Sequence, residues 1–246
     1  ALLEGVLAEC GEDGFVRATV LCRLSVFFAH LGDMAKSRNY QDLAMDMVNR
    51  DPGLMECILG NLAITRLLSG DPEKAEELCR KALKLDHYRS NLKRRAQLLS
   101  VLSIICMRTR REREGMELSS EAVEIHRQSG NLHGLCRVLG NTGTMLARSG
   151  RLEPALEALG EALHLAKKTE SADMISAYSV SMGNVLCIMN RFEESEACFR
   201  ETLTVSEKAG NSRMMTSALM GMGCLHQKTG ALDKAEACFR RVLRMN

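Results

Sequence analysis

Glu196-Ala197-Cys198-Phe199-Arg200 recurs as Glu236-Ala237-Cys238-Phe239-Arg240, forty residues later. Self-similarity at a fixed period marks an array of one repeated supersecondary unit. The same step joins Gly143 to Gly183 and Gly183 to Gly223, and it carries Arg110, Gly150, Asn190 and Gly230 as one turn position. Traced backwards, Gly70 lies forty residues before Arg110, and Gly32 thirty-eight before Gly70. The spacing predicts a single array over 1–246, with a partial helix at 1–16 and repeats at 17–50, 51–88, 89–130, 131–170, 171–210 and 211–246.

Inside each unit two apolar stripes run at helical spacing. In the fourth, Leu135, Val138, Leu139, Thr142 and Leu146 are followed by Leu152, Leu156, Leu159 and Leu163, the three-and-four rhythm of two amphipathic helices. The turn between them is short, so the two must be antiparallel neighbours. A turn glycine ends the first helix in a left-handed conformation, and Asp33 or Asp71 can cap the next. Pro52, Pro72 and Pro154 fall between helices or in a first turn, where a missing N–H is tolerated. With an aromatic share of 4% and only 3 prolines, the composition is that of a chain made almost wholly of helices. The expectation is all-α: an α-solenoid of about six antiparallel helix pairs.

These residues resemble the tetratricopeptide repeats, in a forty-residue form similar to that of LGN-like polarity adaptors and of the sensor arrays of bacterial regulators. The resemblance implies that the α-solenoid winds into a right-handed superhelix. It rests on a small pair in the first helix, a turn residue, and a small–bulky–small set in the second. Here these are Leu62-Ala63, Gly70, Ala75, Cys79, Ala82; Thr142-Gly143, Gly150, Ala155, Leu159, Ala162; and Met222-Gly223, Gly230, Ala235, Phe239, Val242. The fifth unit reads Met182-Gly183, Asn190, Ser195, Phe199, Thr202. The third, with Leu102-Ser103, Arg110, Gly115, Ser119 and Ala122, is weaker, and the first, with Leu24-Ser25, Gly32, Ser37, Gln41 and Ala44, departs most. Gly143, Gly183, Gly223 and Ala63 stand where two helices must approach closely.

Enzyme chemistry finds no foothold in the sequence. It contains no phosphate loop, no His-Glu-x-x-His helix and no Gly-x-Ser-x-Gly elbow. The six histidines are dispersed, and the ten cysteines include no Cys-x-x-Cys pair, so they read as reduced thiols used as small apolar residues. No cofactor or metal is expected. No run is long and apolar enough for a membrane span, and a cytoplasmic location is expected, with the nucleus as the alternative.

A net charge of +2 is too small to point to nucleic acid by itself. A basic run from Arg80 to Arg113 could follow a phosphate backbone, yet Tyr88 is the only aromatic residue near it, which disfavours stacked single strands. An acidic protein surface is the preferred partner. Ala1–Cys10 reads as a lone second helix, and the array stops inside the last helix at Asn246. Stacks need polar caps, so the sequence suggests an excerpt of a longer chain, able to self-associate through uncapped ends.

The resemblance implies a concave groove lined by positions two, five, six, nine, twelve and thirteen of each first helix. Carried onto this chain, it gives as groove residues Arg23, Asn61, Ile64, Gln97, Ile104, Arg108, Arg137, Asn141, Arg148, Asn184 and Lys228. None of the thirty-six aligned positions is Asp or Glu. The expected function is a protein–protein interaction scaffold or adaptor that binds an acidic or amphipathic segment of a partner. Position five is never Lys, which argues against recognition of a chaperone tail. The alternatives are a ligand- or peptide-sensing module of a larger regulator and a structural subunit of a multiprotein complex.

Overall fold

The computed structural model describes residues 5, 13–50, 52–85 and 91–245. Among them lie twelve α-helices and no strand: α1 (Gly14–His30), α2 (Met34–Arg50), α3 (Pro52–Leu68), α4 (Pro72–Leu83), α5 (Leu92–Arg108), α6 (Glu112–Gln128), α7 (Leu132–Arg148), α8 (Leu152–Lys168), α9 (Ala172–Ile188), α10 (Phe192–Ala209), α11 (Ser212–Lys228) and α12 (Leu232–Leu243). The all-α architecture of about six helix pairs is as the periodicity predicts. The lone helix expected at Ala1–Cys10, Tyr88 and Arg89 of the basic run, and the side chains of His30 and Cys57 lie outside the described residues.

Local chemistry sets the helix ends. Asp13, Asp33 and Asp71 accept backbone N–H groups at the starts of α1, α2 and α4. Asn91, Asn131 and Asn211 do the same for the first helices α5, α7 and α11. Each supplies an acceptor for an N–H that has no partner inside its helix. The Gly130-Asn131 and Gly210-Asn211 dipeptides therefore act twice: glycine closes one helix at positive φ, and asparagine opens the next. At three turns the left-handed residue carries a side chain: Arg110, Glu170 and Asn190, with φ of 62°, 51° and 61°.

The chain divides into two compact units, Ala1–Ile125 and His126–Asn246. In the first, α1 pairs with α2 and α3 with α4, while α1, α3 and α5 form a row of first helices. Ser103 Oγ donates to the Gly115 carbonyl at 2.7 Å, tying α5 to α6. Leu24, Ile58, Leu59, Leu62, Leu98, Leu102 and Ile105 are fully buried there. In the second, α7–α8, α9–α10 and α11–α12 are the pairs, and α7, α9 and α11 form the row. Leu159, Leu186 and Phe199 are its fully buried large side chains.

The small positions mark close approach, as the sequence suggested. A Cβ at Gly143 would lie 2.7 Å from Leu159 Cγ, one at Gly183 2.8 Å from the Phe199 ring, and one at Gly223 2.3 Å from the Phe239 ring. Gly140 and Gly221, at groove position five or six, behave likewise. A Cβ there would meet Tyr178 at 2.0 Å and Phe199 at 2.4 Å. Phe199 is thus clamped between α9 and α11, a role that the forty-residue alignment alone did not reveal.

Candidate functional site

In the first unit, the first-helix row bears two adjoining cavities. The first, of about 480 Å³, is lined by Thr19, Cys22, Arg23, Val26, Phe27, Asn61, Ile64 and Thr65. It is mostly apolar, and Phe27 on its wall is 47% exposed. The second, of about 260 Å³, is lined by Gly60, Asn61, Ile64, Asn91, Lys93, Arg94, Gln97 and Leu98. Asn61 and Ile64 belong to both. Among the described residues, neither cavity is lined by Asp or Glu.

Four of the residues nominated from sequence, Arg23, Asn61, Ile64 and Gln97, are therefore brought together on α1, α3 and α5. Ile104 is half-buried and Arg108 exposed further along α5. Lys93 and Arg94, outside the nominated positions, enter the second cavity because Asn91 caps α5 and sets its first turn beside α3. The Arg-rich stretch is their signal in the sequence, and neither residue stands at one of the six groove positions of its helix.

In the second unit Arg137 and Asn141 are half-buried on α7, and Arg148 at its end is exposed, as is Asn184 on α9. Lys228 differs from the sequence expectation of a ligand-facing cation. Its Nζ donates to the Cys187 carbonyl at 2.8 Å and stands 5.6 Å from the centre of the Phe192 ring. Its charge satisfies the C-terminal end of α9, where backbone carbonyls carry partial negative charge. Exposed apolar surface on this row is supplied by Ile188 and Met220.

The charges of the second helices follow another rule. Arg80 meets Glu114 at 2.5 Å, Arg127 meets Glu161 at 2.8 Å, Lys167 meets Glu201 at 2.6 Å, and Arg241 meets Glu207 at 2.5 Å. Each pair joins one second helix to the next at a spacing of thirty-four residues. Arg111 adds a contact to Glu76, and together with Arg80 it holds that carboxyl at about 2, far below the usual 4.5. The basic run of the sequence is thus corrected in part: Arg80, Arg95, Arg111 and Arg113 pair with Glu76, Glu114, Glu121 and Glu117 on second helices. By contrast, Arg23, Arg108, Arg137 and Arg148 of the first helices have no carboxylate partner among the described residues.

The described cysteines are free thiols. Burial pushes Cys22 and Cys79 up to about 12, and Cys106 and Cys136 to about 11, which keeps them protonated and chemically quiet near neutral pH. Among the described residues, no helix is long and apolar enough to cross a membrane.

Residues 58–246 match the family described as the MalT-like TPR region. No curated protein sequence matches the chain. Among solved structures it is similar to BtubC (BKLC) from P. vanneervenii, with 18% identity and a TM-score of 0.69 over 86% of this chain and 89% of that one. It is also similar to a Rap protein complexed with competence and sporulation factor, at 16% identity and a TM-score of 0.77. A third similar structure is a signal-transduction ATPase with numerous domains and a tetratricopeptide repeat sensor from Pyrococcus horikoshii, at 12% identity and a TM-score of 0.76. At such identities the likeness is one of fold. The alignments cover 96% of this chain and 66% of the Rap protein, and 99% of this chain and 40% of the ATPase.

Proposed function

The chain belongs to the MalT-like TPR family, and from that premise we propose that it is a non-catalytic interaction platform whose first-helix rows bind an acidic or amphipathic segment of a protein partner. One observation carries this reading: Arg80, Arg127, Lys167 and Arg241 on the second helices each meet a carboxylate of a neighbouring second helix, whereas the aligned groove cations Arg23, Arg108, Arg137 and Arg148 on the first helices have no carboxylate partner among the described residues. A surface of one sign, with apolar side chains between the charges, attracts its complement and discriminates against cationic partners. Asn61, Asn141 and Asn184 add amides that can donate to and accept from an extended backbone.

A second reading, a sensing module of a larger regulator, is favoured by two of the similar structures, one a Rap protein complexed with competence and sporulation factor and the other a signal-transduction ATPase with a tetratricopeptide repeat sensor. Both readings place the ligand on the first-helix rows. They differ in whether binding changes the state of an attached domain.

The test is affinity capture on the purified chain, with the retained segment mapped by limited proteolysis. An acidic segment should be recovered. Its binding should weaken at least about tenfold, roughly 1.4 kcal/mol, in the Arg137→Glu, Arg148→Glu double variant or in Arg23→Glu. Loss of binding in Arg200→Glu, Arg240→Glu with the first-helix variants unaffected would move the function to the second helices.

A further inference from the structure

The close approach of α9 and α11 in the second unit sets two thiols side by side. A Cβ added at Gly183 and one added at Gly221 would lie 2.8 and 2.4 Å from the same atom, Phe199 Cε1, so the two backbones converge on one ring. Cys187 follows Gly183 by four residues and Cys224 follows Gly221 by three. Both therefore stand about one turn further along neighbouring parallel helices, with rises that differ by roughly 1.5 Å. At about 100° of rotation per residue, Cys187 falls between Gly183 and the exposed Ile188, and Cys224 between Gly221 and the exposed Met220. Each cysteine thus occupies the flank of its helix that borders the other helix, just below the open face of the row.

Two further contacts fix the level. Lys228 lies one turn beyond Cys224 on the same face of α11 and donates from Nζ to the Cys187 carbonyl at 2.8 Å. Burial pushes the Cys187 thiol up, the Lys228 ammonium opposes that, and the Cys224 sulfur beside it adds to the rise. Access separates this pair from the other described cysteines. Cys22, Cys79, Cys106 and Cys136 are buried, and Cys198 and Cys238 are half-buried on α10 and α12. Cys224 is exposed and Cys187 half-buried, so an oxidant reaches the first while the second stands next to it. Reversible thiol oxidation needs that combination of exposure and a resolving neighbour.

We infer that Cys187 and Cys224 form an oxidisable dithiol that a hydroperoxide closes to a disulfide across the first-helix row and a dithiol reductant reopens. This goes beyond the platform reading and does not depend on it. With hydrogen peroxide, the Cys224 thiolate attacks one peroxide oxygen and the O–O bond breaks. The leaving hydroxide takes the thiol proton as water, and Cys224 becomes a sulfenic acid. The Cys187 thiolate, favoured by the Lys228 ammonium, then attacks that sulfur. The S–O bond breaks, and the departing hydroxide takes the Cys187 proton as a second water. Two thiols have given two electrons to one peroxide. A disulfide asks for Cβ atoms roughly 3.5–4.5 Å apart, and backbones that converge through two glycines leave that approach open one turn away. The bond braces α9 against α11 between Ile188 and Met220.

The experiment uses the full chain, reduced, treated with stoichiometric hydrogen peroxide at neutral pH, alkylated and digested with trypsin. Peptides 169–191 and 214–228 contain Cys187 and Cys224 as their only cysteines. They should be recovered joined, two hydrogens lighter, from a monomeric chain, and dithiothreitol should separate them. A glutathione buffer rich in the disulfide should form the same bond. Cys187→Ser and Cys224→Ser should each abolish it while helicity by circular dichroism is retained. Cys198→Ser and Cys238→Ser should leave its yield at the parent level.

A sulfenic or sulfinic acid at Cys224 with Cys187 left as a thiol would overturn the proposal, as would a bond between two chains in place of one within the chain. Closure that needs copper–phenanthroline and fails with both peroxide and glutathione would do the same. So would an equal yield from another cysteine pair, because proximity in the row, not thiol content, is what selects these two.

Discussion

The two units solve the same packing problem with opposite size rules. In the second, the small position of each first helix is Gly143, Gly183 or Gly223, and the second helix sends Leu159, Phe199 or Phe239 against it. In the first, the corresponding residues are Ser25, Ala63 and Ser103, and the aligned second-helix residues are Gln41, Cys79 and Ser119. Ser25 receives a hydrogen bond from Gln41 Nε2 at 3.0 Å, and Ser103 donates to the Gly115 carbonyl. A buried arginine, Arg66, is held by Asp42 at 2.5 Å. One repeat spacing is thus compatible with a glycine–ring interlock and with a hydrogen-bonded filling. The interlock depends on shape and fails when volume changes. The polar filling depends on satisfied partners and fails when one is removed.

The largest expected effect is therefore at Phe199, fully buried and clamped between Gly183 and Gly221. Phe199→Ala should destabilise by about 3–5 kcal/mol in denaturant titrations. Hydrogen exchange should rise in α9, α10 and α11 and stay near the parent level in α1 to α4. A uniform rise over both units would break the comparison, because the interlock would then not be a local feature.

Next comes a reversal of sign within the second unit. Alanine usually stabilises a helix relative to glycine by about 0.8–1.0 kcal/mol. Gly160 on α8 has open space around an added Cβ, so Gly160→Ala should raise the melting temperature. Gly183→Ala drives a methyl into a ring that cannot retreat from Gly221, and a net loss of about 1–3 kcal/mol is expected. In the first unit Ser103→Ala should cost only about 0.5–1.5 kcal/mol, the worth of one hydrogen bond. Equal responses at Gly160 and Gly183 would show that the close approach is not what fixes glycine there.

The first unit also carries the most strongly perturbed carboxyl. Glu76 is held at about 2 by hydrogen bonds from Arg111 and Arg80. A carboxyl with a depressed folded-state value contributes stability that is complete above its unfolded value, near 4.5, and is lost as pH falls towards 2. Melting temperature measured from pH 6 to pH 2.5 should fall more steeply in the parent than in Glu76→Gln. Parallel curves would mean that solvent already screens this exposed network.

Much of this was legible because its causes are local. Periodic leucines, turn glycines and capping Asp residues act within a few positions, and the pairing of helices follows from short turns. The small residues at Gly143, Gly183 and Gly223 were legible too, through their forty-residue recurrence. Other features depend on where long side chains reach. Lys228 occupies an aligned groove position yet turns to the end of α9, and the cations Arg80 and Arg111 find Glu76 and Glu114 on neighbouring second helices. Opposite charges thirty-four residues apart are present in the sequence, but they fall outside the forty-residue period that marks the repeats. The cavities join residues from three helices, and Lys93 and Arg94 enter one because of a cap, which no repeat pattern encodes.

The smallest expected effects lie at the turns, where each unit holds one residue in a conformation suited to glycine. Arg110 in the first and Glu170 in the second have φ of 62° and 51°, and the Arg111 and Ser171 N–H groups close the turns on Cys106 and Ala166 carbonyls. A left-handed residue with a Cβ is strained by roughly 1–2 kcal/mol, while glycine there has a more flexible unfolded chain to order. The balance predicts a gain of about 0.5–1 kcal/mol for Arg110→Gly and for Glu170→Gly. Asn190, at a similar φ of 61°, should gain less from the same change, since its short polar side chain tolerates this region. Because the strain is set by backbone geometry and not by the chemistry of the interface nearby, the gains in the two units should be equal and additive in the double variant. A gain at Glu170 with a loss at Arg110 would show instead that the Arg110 side chain contributes to the first unit in a way its turn geometry does not account for.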